Sequence, residues 1–455
     1  MPASESVGET ISKTPLARHD TRDTFVGAGR TGPAGIEPAN AHLRMMKIPD
    51  GRGAEVTSAA MLAAAMFMSG CADVTGGART LAFKVVNARD RHTCGLLSNG
   101  AALCWGMNDL GQLGADTAPE NCSIMPGGPC SSRALPVQGV WRFTLLSVGG
   151  SHTCALTGDG RVSCWGVNAY GQLGRDSATS DRCTIPAGGS FPCDRTPQPV
   201  DGSTRFTLIT TGGGHTCGLT ATQDAYCWGY NWYGQVGDGS DITRFAPTPV
   251  VGGLRFTTLS AGSLHTCGIT RAGAAYCWGS NEFGQLGNGN WLGMSLEPDS
   301  VASSISFQAI AAGQWHTCGL STTGEAYCWG FDTDSLRPTA VAGGLKFTAI
   351  TAGANHTCAL TPAGAAYCWG LNWFGQLGTN ATLDTCHDGN GNPFPCTRAP
   401  VPVAGGMTFR ALSAGSDYSC GAASDGQAYC WGRNWFGQLG DGTRTGATRP
   451  VRVQP

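Results

Sequence analysis

The chain has 455 residues with a formal net charge of −2, and only 13% of its residues are charged. This near-neutral balance excludes a general electrostatic attraction to nucleic acid or to an anionic membrane surface. The 21 cysteines are far more than a protein of a reducing cytosol usually carries, so an exported, oxidised protein is predicted.

Residues 1–44 are polar, lack hydrophobic periodicity and are rich in glycine, proline, alanine and arginine. Such a composition does not predict a folded domain. We interpret this segment as disordered, or as an upstream artefact of a start site that lies at Met45 or Met46.

Residues 45–71 resemble a bacterial lipoprotein signal peptide. Positive charges precede the apolar run AAMLAAAMFM at 59–68, and Ser-Gly then precedes Cys71. The run is too short to span a bilayer but suits the apolar region of a secretory signal. The resemblance implies lipidation of Cys71, a linker over 72–80 and a location at a bacterial outer membrane or cell surface. The alternatives are an ordinary cleaved signal of a periplasmic or secreted protein, or a chance apolar run.

Residues 81–455 contain a sequence unit that is repeated seven times at a basic period of about 50 residues. Each unit has a cysteine and, ten positions later, a second cysteine that is followed by Trp-Gly. In six units the motif Asn-x-x-Gly-Gln-[Leu/Val]-Gly comes next, whereas the fifth unit has the segment FDTDSLRP. Insertions follow this motif in units one, two and six.

One unit, at residues 247–287, has the pattern of four short strands separated by turn residues, without helical periodicity. If Cys267 faces Cys277 across a hairpin, the loop between their strands has three residues and ends at Gly273. A left-handed conformation is favoured at that position, and glycine occupies it in six of the seven units, with Gln223 as the exception. The unit is therefore predicted to be a four-stranded antiparallel sheet.

This register brings the two cysteines of each unit within disulfide range, and each insertion carries a further pair. Free buried cysteines are the alternative, and metal binding is less favoured because two thiols in one sheet offer only half a zinc site. Twenty cysteines are paired in this way, and Cys71 is left over. The predicted disulfides are Cys94–Cys104, Cys122–Cys130, Cys154–Cys164, Cys183–Cys193, Cys217–Cys227, Cys267–Cys277, Cys318–Cys328, Cys358–Cys368, Cys386–Cys396 and Cys420–Cys430.

Side chains alternate along a strand, so Tyr276 and Trp278 should lie on the sheet face opposite the disulfide. Radial stacking of such sheets buries one face against the next, which predicts an all-β, seven-bladed β-propeller of four-stranded blades. The strand at 81–86 lacks a preceding partner, and the strand at 449–453 lacks a following one. We expect these two terminal strands to pair within one blade and to close the ring.

Most units begin a strand with a histidine, and this place is assigned to Asp417 in the seventh unit. A ring of histidines can suggest metal, but one per blade at a fixed position favours a repeated backbone hydrogen bond. The segment DGNGN at 388–392 has calcium-ligating oxygens, yet it is short and no glutamate follows, which favours a plain turn. No metal or other cofactor is predicted. The histidines are His92, His152, His215, His265, His316 and His356.

The string Trp-Gly-x-Asn-x-x-Gly-Gln-Leu-Gly, preceded by a histidine-led strand, resembles the repeat of the regulator of chromosome condensation family. The resemblance covers residues 81–455 and implies a seven-bladed propeller, a fold shared with the β-lactamase-inhibitor protein type II. The paired cysteines depart from the usual family pattern, and they indicate adaptation to an oxidising compartment.

Fold alone does not assign function. The prediction is a non-catalytic, monomeric propeller that binds a protein or glycan partner at the cell surface or in the periplasm, with inhibition of a cell-wall enzyme as a narrower version. A secreted glycan-active enzyme is the alternative, although no carboxylate pair or nucleophile–base set stands out from the repeat. Guanine-nucleotide exchange is less favoured for an exported chain. No basic patch predicts nucleic-acid binding, and membrane contact is expected only through the lipid anchor.

The first variable position of the Asn-x-x-Gly-Gln motif provides the candidate binding residues Trp232, Trp373 and Trp435. The second variable position is aromatic or leucine in every copy, which suits packing under the loop, so the first should point away from it. Exposed aromatic residues on a rigid rim are typical anchors for protein or sugar ligands. The alternative is that all three tryptophans pack against the long insertions.

Overall fold

A computed structural model describes residues 81–455, apart from 123–126, 186–187, 292, 332–334, 380, 382 and 388–392. The described residues form seven antiparallel sheets, here called blades one to seven, which follow one another along the chain. The described helix is a 3-10 turn at Ser177–Thr179. Within these residues no helix is long and apolar enough to cross a membrane.

Each blade contains four strands, here called the first to the fourth, and each pairs with the next one in this order. The first strands are β1 (Phe83–Arg89), β6 (Phe143–Val148), β11 (Leu208–Thr211), β15 (Phe256–Ala261), β19 (Phe307–Ala312), β23 (Ala349–Ala352) and β28 (Phe409–Ala414). The second strands are β2 (His92–Leu97), β7 (His152–Thr157), β12 (His215–Leu219), β16 (His265–Thr270), β20 (His316–Ser321), β24 (His356–Leu360) and β29 (Tyr418–Ala423).

The third strands carry the Cys-Trp-Gly motif and the fourth strands carry the prolines. The third strands are β3 (Ala102–Met107), β8 (Val162–Val167), β13 (Ala225–Gly229), β17 (Ala275–Ser280), β21 (Ala326–Gly330), β25 (Ala366–Leu371) and β30 (Ala428–Gly432). The fourth strands are β5 (Gly128–Pro136), β10 (Ser190–Pro199), β14 (Arg244–Pro249), β18 (Met294–Ser300), β22 (Ser335–Ala340), β27 (Pro393–Pro402) and β31 (Ala447–Arg452).

Three of the seven blades have a fifth strand, so the expectation of four strands in every blade is corrected. The extra strands are β4 (Glu120–Cys122), β9 (Asp181–Thr184) and β26 (Asp384–His387), and each pairs with the outer edge of the fourth strand. They come from the insertions of units one, two and six, whose added length folds back as a hairpin onto that open edge.

The register of the central hairpin is as predicted. Cys267 lies opposite Cys277, and the backbone N–H of Thr270 donates to the carbonyl of Ala274 at 3.0 Å. Gly273 ends the loop with φ of 80°, and the exceptional residue Gln223 adopts φ of 65° at the same place. A side chain is disfavoured in this left-handed conformation, which explains why glycine occupies the other six copies.

The structure joins all ten predicted cysteine pairs as disulfides. Within the blades the Cα atoms are close, as in Cys267–Cys277 at 4.1 Å, because the two residues form a directly opposed pair. Each disulfide closes a short loop and so lowers the entropy of the unfolded chain, which stabilises the fold by about 3 kcal/mol. The cysteines therefore staple individual sheets that are too small to be stable alone.

The blades pack face to face, with the disulfide face of one blade against the aromatic face of the next. The Cys267–Cys277 disulfide of blade four shares a core with Phe307 and Trp329 of blade five, and the indole of Trp329 is fully buried. Full burial of one such side chain contributes roughly 2–3 kcal/mol. Repeating this contact around the ring produces the propeller.

Ring closure differs from the prediction. The terminal strands lie in different sheets, since β1 pairs with β2 in blade one and β31 pairs with β30 in blade seven. The ring closes because these two blades pack on each other, with Trp105 and Cys420 in one core and the Phe83 N–H donating to the Gly426 carbonyl at 2.8 Å. The short turn after each fourth strand crosses into the next blade, so the strands on either side of it lie in different sheets.

Candidate functional site

The loops that follow the third strands are held by the same two side-chain hydrogen bonds in six blades. In blade four, the side-chain oxygen of Asn281 accepts from the backbone N–H of Leu286 at 3.0 Å, and the side-chain oxygen of Gln285 accepts from the N–H of Phe283 at 2.8 Å. Leu286 is buried in the blade interface, which pins the loop from below. The residue between Asn281 and Phe283, Glu282, is exposed. This loop position is therefore held outward by its neighbours.

Trp232, Trp373 and Trp435 occupy this outward position, with exposed fractions of 50%, 53% and 39%. Equivalent loops of a propeller emerge on one side of the ring, so the three indoles share one face, here called the loop face. A large exposed aromatic side chain gains little stability in place, whereas it provides contact area for a partner. The structure thus places all three candidate residues where a ligand can reach them.

The three tryptophans have different neighbours. The ring of Trp373 lies 5.1 Å from that of Phe394, on the insertion of blade six. Trp232 instead lies 5.3 Å from Tyr230, and Trp435 lies 5.6 Å from Phe374 of the preceding blade. Among the described residues, packing against an insertion is therefore seen for Trp373 alone of the three.

Charge on this face is balanced locally. The guanidinium of Arg433 lies 3.6 Å from the ring centroid of Trp435 and donates to the Asp417 carboxylate at 2.8 Å. The stacked cation holds the indole in one orientation. Burial and two neighbouring tyrosines raise the pKa of Tyr230 to about 12, so its phenol stays neutral beside Trp232.

Further exposed aromatics on and beside the loops were not predicted. Trp291 is 59% exposed, and Phe245 and Phe331 are each 40% exposed. Phe331 follows the Trp-Gly of unit five, where the loop motif is missing. This departure from the repeat is the sequence feature from which an unusual surface at Phe331 could have been predicted. Trp291 and Phe245 lie outside the Asn-x-x-Gly-Gln motif, so the comparison of motif positions did not point to them.

The histidines form hydrogen bonds between blades, to side-chain hydroxyls instead of the repeated backbone bond that was predicted, although His316 also bonds to the backbone of Ala354. Nε2 of His265 lies 2.9 Å from the hydroxyl of Thr317, and that hydroxyl donates to the backbone carbonyl of Gln285 at 2.8 Å. Since the hydroxyl has donated its proton, it accepts from the imidazole Nε2–H. The same contact joins His92 to Thr153, His152 to Thr216, His215 to Thr266, His316 to Thr357 and His356 to Ser419.

Tyr418, not Asp417, occupies the seventh place in this ring. It begins β29 opposite Gly432, as each histidine begins its own second strand, and its hydroxyl lies 2.9 Å from Thr93 of blade one. It also donates to the backbone carbonyl of His92 at 2.6 Å. The assignment to Asp417 was displaced by one residue.

Burial keeps the imidazoles neutral. Desolvation lowers the pKa to about 3 for His92, His152, His265 and His356, to about 4 for His316, and well below the usual value for His215. Nδ1 is buried without a hydrogen-bond partner among the described residues in five of them: His92, His152, His215, His265 and His356. These groups have a structural role at the blade interfaces, and they do not belong to the loop face.

Near the central axis of the ring, blade one differs from the other six blades in one residue. Six blades have glycine three residues before the histidine or tyrosine, where a side chain would collide with the ring, and Arg89 stands there in blade one. Its guanidinium donates to the carbonyl of Ala261 at 2.9 Å and lies 3.4 Å from that of Thr211. Burial lowers the pKa of Arg89 to about 10, and it raises the pKa of Asp90. Arg89 therefore links blade one to blades three and four across the axis.

Within the described ranges, no group of three or more metal-ligating side chains comes together. The calcium candidate at 388–392 lies outside the described residues, and so does the lipidation candidate Cys71.

The fold and the repeated loops define a seven-bladed β-propeller built from one sequence unit per blade. Models of the regulator of chromosome condensation (RCC1) repeat match every blade. One matches residues 88–112, 143–172, 206–235, 256–285, 307–335, 347–376 and 409–438, and a second matches 159–219, 224–269, 272–320 and 425–455. The chain belongs to the RCC1 repeat family.

Individual relatives match part of the chain. It is 30% identical over 158 residues to the ultraviolet-B receptor UVR8 of Arabidopsis thaliana, covering 34% of this chain and 31% of the receptor. It is 32% identical over 146 residues to the human regulator of chromosome condensation, covering 32% of this chain and 30% of that protein. The alignments thus span under a third of these two relatives.

Solved structures share the fold. Yeast RCC1 (Prp20), in a structure with Kap60 bound, superposes with a TM-score of 0.66 at 20% identity over 88% of this chain and 91% of that one. Human WBSCR16 superposes with a TM-score of 0.64 at 18% identity, over 78% of this chain and 94% of that one.

Proposed function

We propose that this protein is an exported, non-catalytic propeller that binds a protein or glycan partner on its loop face. The observation that carries the proposal is the exposure of Trp232, Trp373 and Trp435 at equivalent positions of rigid loops. Aromatic side chains held in one orientation lose little conformational entropy when a partner covers them. An inhibitor of a cell-wall enzyme is the narrower form of this function.

The oxidised chemistry of the blades supports export. Ten disulfides would not persist in a reducing cytosol, whereas they are expected in a periplasm or outside the cell. The signal-like segment at 45–71 agrees with this location, and Cys71 would supply a lipid anchor. We infer a monomer that is tethered to the envelope by this anchor.

The relatives support a protein partner over a small molecule. The solved yeast RCC1 is bound to a second protein, Kap60, and a bovine relative is named a secretion-regulating guanine nucleotide exchange factor. Binding to another protein is the common element that we carry over to this chain.

The test compares the double variant Trp373→Ala and Trp435→Ala with the wild type in quantitative pull-downs from envelope extract and on a glycan array. We expect specific partners to be lost while the melting temperature stays within a few degrees, because the two side chains are 53% and 39% exposed. Glu282→Ala is the matched control, since it changes the same loop position in blade four and should retain the partners. A large loss of stability in the double variant would show that these tryptophans are structural.

A further inference from the structure

In six blades the loop after the third strand seals the boundary with the next blade. In blade three the backbone carbonyl of Gln235 accepts from the Trp278 indole N–H at 3.0 Å and from the Thr266 hydroxyl at 2.9 Å, both in blade four. The next residue, Val236, is fully buried. Gln438, Gln112, Gln172, Gln285 and Gln376 make the same pair of contacts in the other five cases.

Blade five lacks this loop. Its third strand ends at Gly330 and its fourth begins at Ser335, so the chain returns without the Asn-x-x-Gly-Gln-Leu-Gly segment. The boundary between blades five and six therefore has no glutamine carbonyl and no buried leucine from this source. We call this boundary the open seam.

The groups that the loop would satisfy are present in blade six. Trp369 and Thr357 correspond to Trp278 and Thr266, and neither donates to a carbonyl among the described residues. The Thr357 hydroxyl lies 2.9 Å from His316 Nε2 and 3.4 Å from the sulfur of Cys318, and it can donate to a carbonyl placed in the seam when the imidazole donates to it, as in the sealed boundaries. Trp369 is 6% exposed, whereas the other six tryptophans at this place are fully buried.

A cavity of about 930 Å³ occupies the open seam. Thr357 and Trp369 line it, together with the aromatic rings of Phe331 and Phe394 and the half-exposed Trp291. The side-chain oxygen of Asn355, also in the lining, is buried without a hydrogen-bond partner in the described part of the chain. The size of the cavity, and walls that combine aromatic rings with polar side chains, are those of a ligand site.

We propose that the open seam binds a peptide segment of a partner protein that replaces the missing loop. A backbone carbonyl of the segment accepts from the Trp369 indole and the Thr357 hydroxyl, and a leucine or valine side chain fills the space beneath. The six sealed boundaries define this complement, because each presents the same two donors to a peptide carbonyl that is followed by a buried aliphatic residue. The inference rests on the proposed binding function, but it uses residues other than the three loop-face tryptophans.

The probe is a fluorescently labelled octapeptide with the sequence of residues 281–288, Asn-Glu-Phe-Gly-Gln-Leu-Gly-Asn, titrated with the full oxidised chain. We expect saturable binding that Trp369→Phe and Thr357→Val each weaken about tenfold, as loss of one buried hydrogen bond requires. A peptide with aspartate in place of its leucine should not bind. N-acetyl-leucinamide serves as the small-molecule probe, and its binding without that of the octapeptide would overturn the peptide assignment.

Matched variants separate this site from other effects. Trp278→Phe changes the same position at a sealed boundary, so it should lower the melting temperature and leave octapeptide binding unchanged. Trp435→Ala should also leave octapeptide binding unchanged, whether or not it removes envelope partners. If Trp369→Phe binds the octapeptide as tightly as the wild type, the proposal is wrong.

The second test of the peptide site restores the missing loop in blade five. Grafting residues 280–294 in place of residues 331–334 gives blade five the loop of blade four, because Ser295 and Ser335 lie opposite the equivalent residues Gly279 and Gly330. The grafted chain should melt at a higher temperature and no longer bind the octapeptide, because its own carbonyl and leucine now fill the seam. Unchanged octapeptide binding by this chain would place the peptide elsewhere.

Discussion

The ring of neutral histidines makes the stability of the propeller depend on pH. In His265 the pKa falls from 6.5 in the unfolded chain to about 3 in the fold, because the imidazole is fully buried. Below pH 6.5 the unfolded chain therefore binds a proton that the folded chain does not. The stabilising contribution of the neutral imidazole is complete above pH 6.5, and it decreases as the pH falls toward 3.

The magnitude follows from the linkage relation. Between pH 7 and pH 5 one such histidine lowers the free energy of unfolding by about 2 kcal/mol, since each unit of pKa difference corresponds to about 1.4 kcal/mol. Six buried histidines together give an upper value of about 12 kcal/mol. We expect the propeller to lose most of its stability in this range, before most carboxylates protonate.

The assay compares the wild type with His265→Gln by guanidinium denaturation of the oxidised protein at pH 5, 6 and 7. Glutamine donates toward Thr317 but does not titrate, so the variant should lose about 2 kcal/mol less than the wild type between pH 7 and pH 5. Contributions of Asp90 and Asp194, whose pKa values are raised by burial, cancel in this comparison.

Tyr418→Phe is the matched control, because it changes the seventh place of the same ring without removing a group that titrates in this range. It should lower stability by a similar amount at every pH. If His265→Gln shows the same pH dependence as the wild type, the buried imidazole is not the source, and the reasoning from burial fails.

Other consequences can be measured separately. Radiolabelled palmitate should enter the wild type but not Cys71→Ser when each is expressed in a bacterium, and equal labelling would exclude lipidation at this residue. Gln223→Gly should raise the free energy of unfolding by about 0.5–1 kcal/mol by relieving the left-handed conformation, whereas Gly273→Gln should lower it similarly; thermal melts of both variants check the sign. Replacing Cys267 and Cys277 together by alanine should cost about 3 kcal/mol in denaturant titrations, and an unchanged midpoint would contradict the role assigned to the blade disulfides.

Several features of this protein were determined by the sequence alone because they are local and repeated. The ten-residue separation of the paired cysteines, with glycine at the end of the loop between them, specifies one hairpin register. That register places Cys267 opposite Cys277 in the structure, as predicted. Seven copies of such a unit, each with one aromatic and one disulfide face, leave the closed ring as the way to bury every face.

The outward position of the three loop tryptophans was predictable for the same reason. Alternation within the Asn-x-x-Gly-Gln motif separates a position that packs inward from one that points outward, and the structure places Trp232, Trp373 and Trp435 outward. Their individual surroundings were not predictable, because Phe374 contacts Trp435 from the preceding blade and Phe394 contacts Trp373 from the insertion of blade six.

Tertiary structure alone decided how the units meet. A short turn has the same sequence whether it joins two strands of one sheet or crosses between sheets, so the terminal strands were assigned to one blade although β1 and β31 lie in two. The contact of Tyr418 with Thr93 likewise joins residues from opposite ends of the chain. The open seam depends on a loop that one unit lacks and on donors that the next unit retains. Contacts between units depend on which faces the closed ring brings together, and a pattern read along one unit does not contain that information.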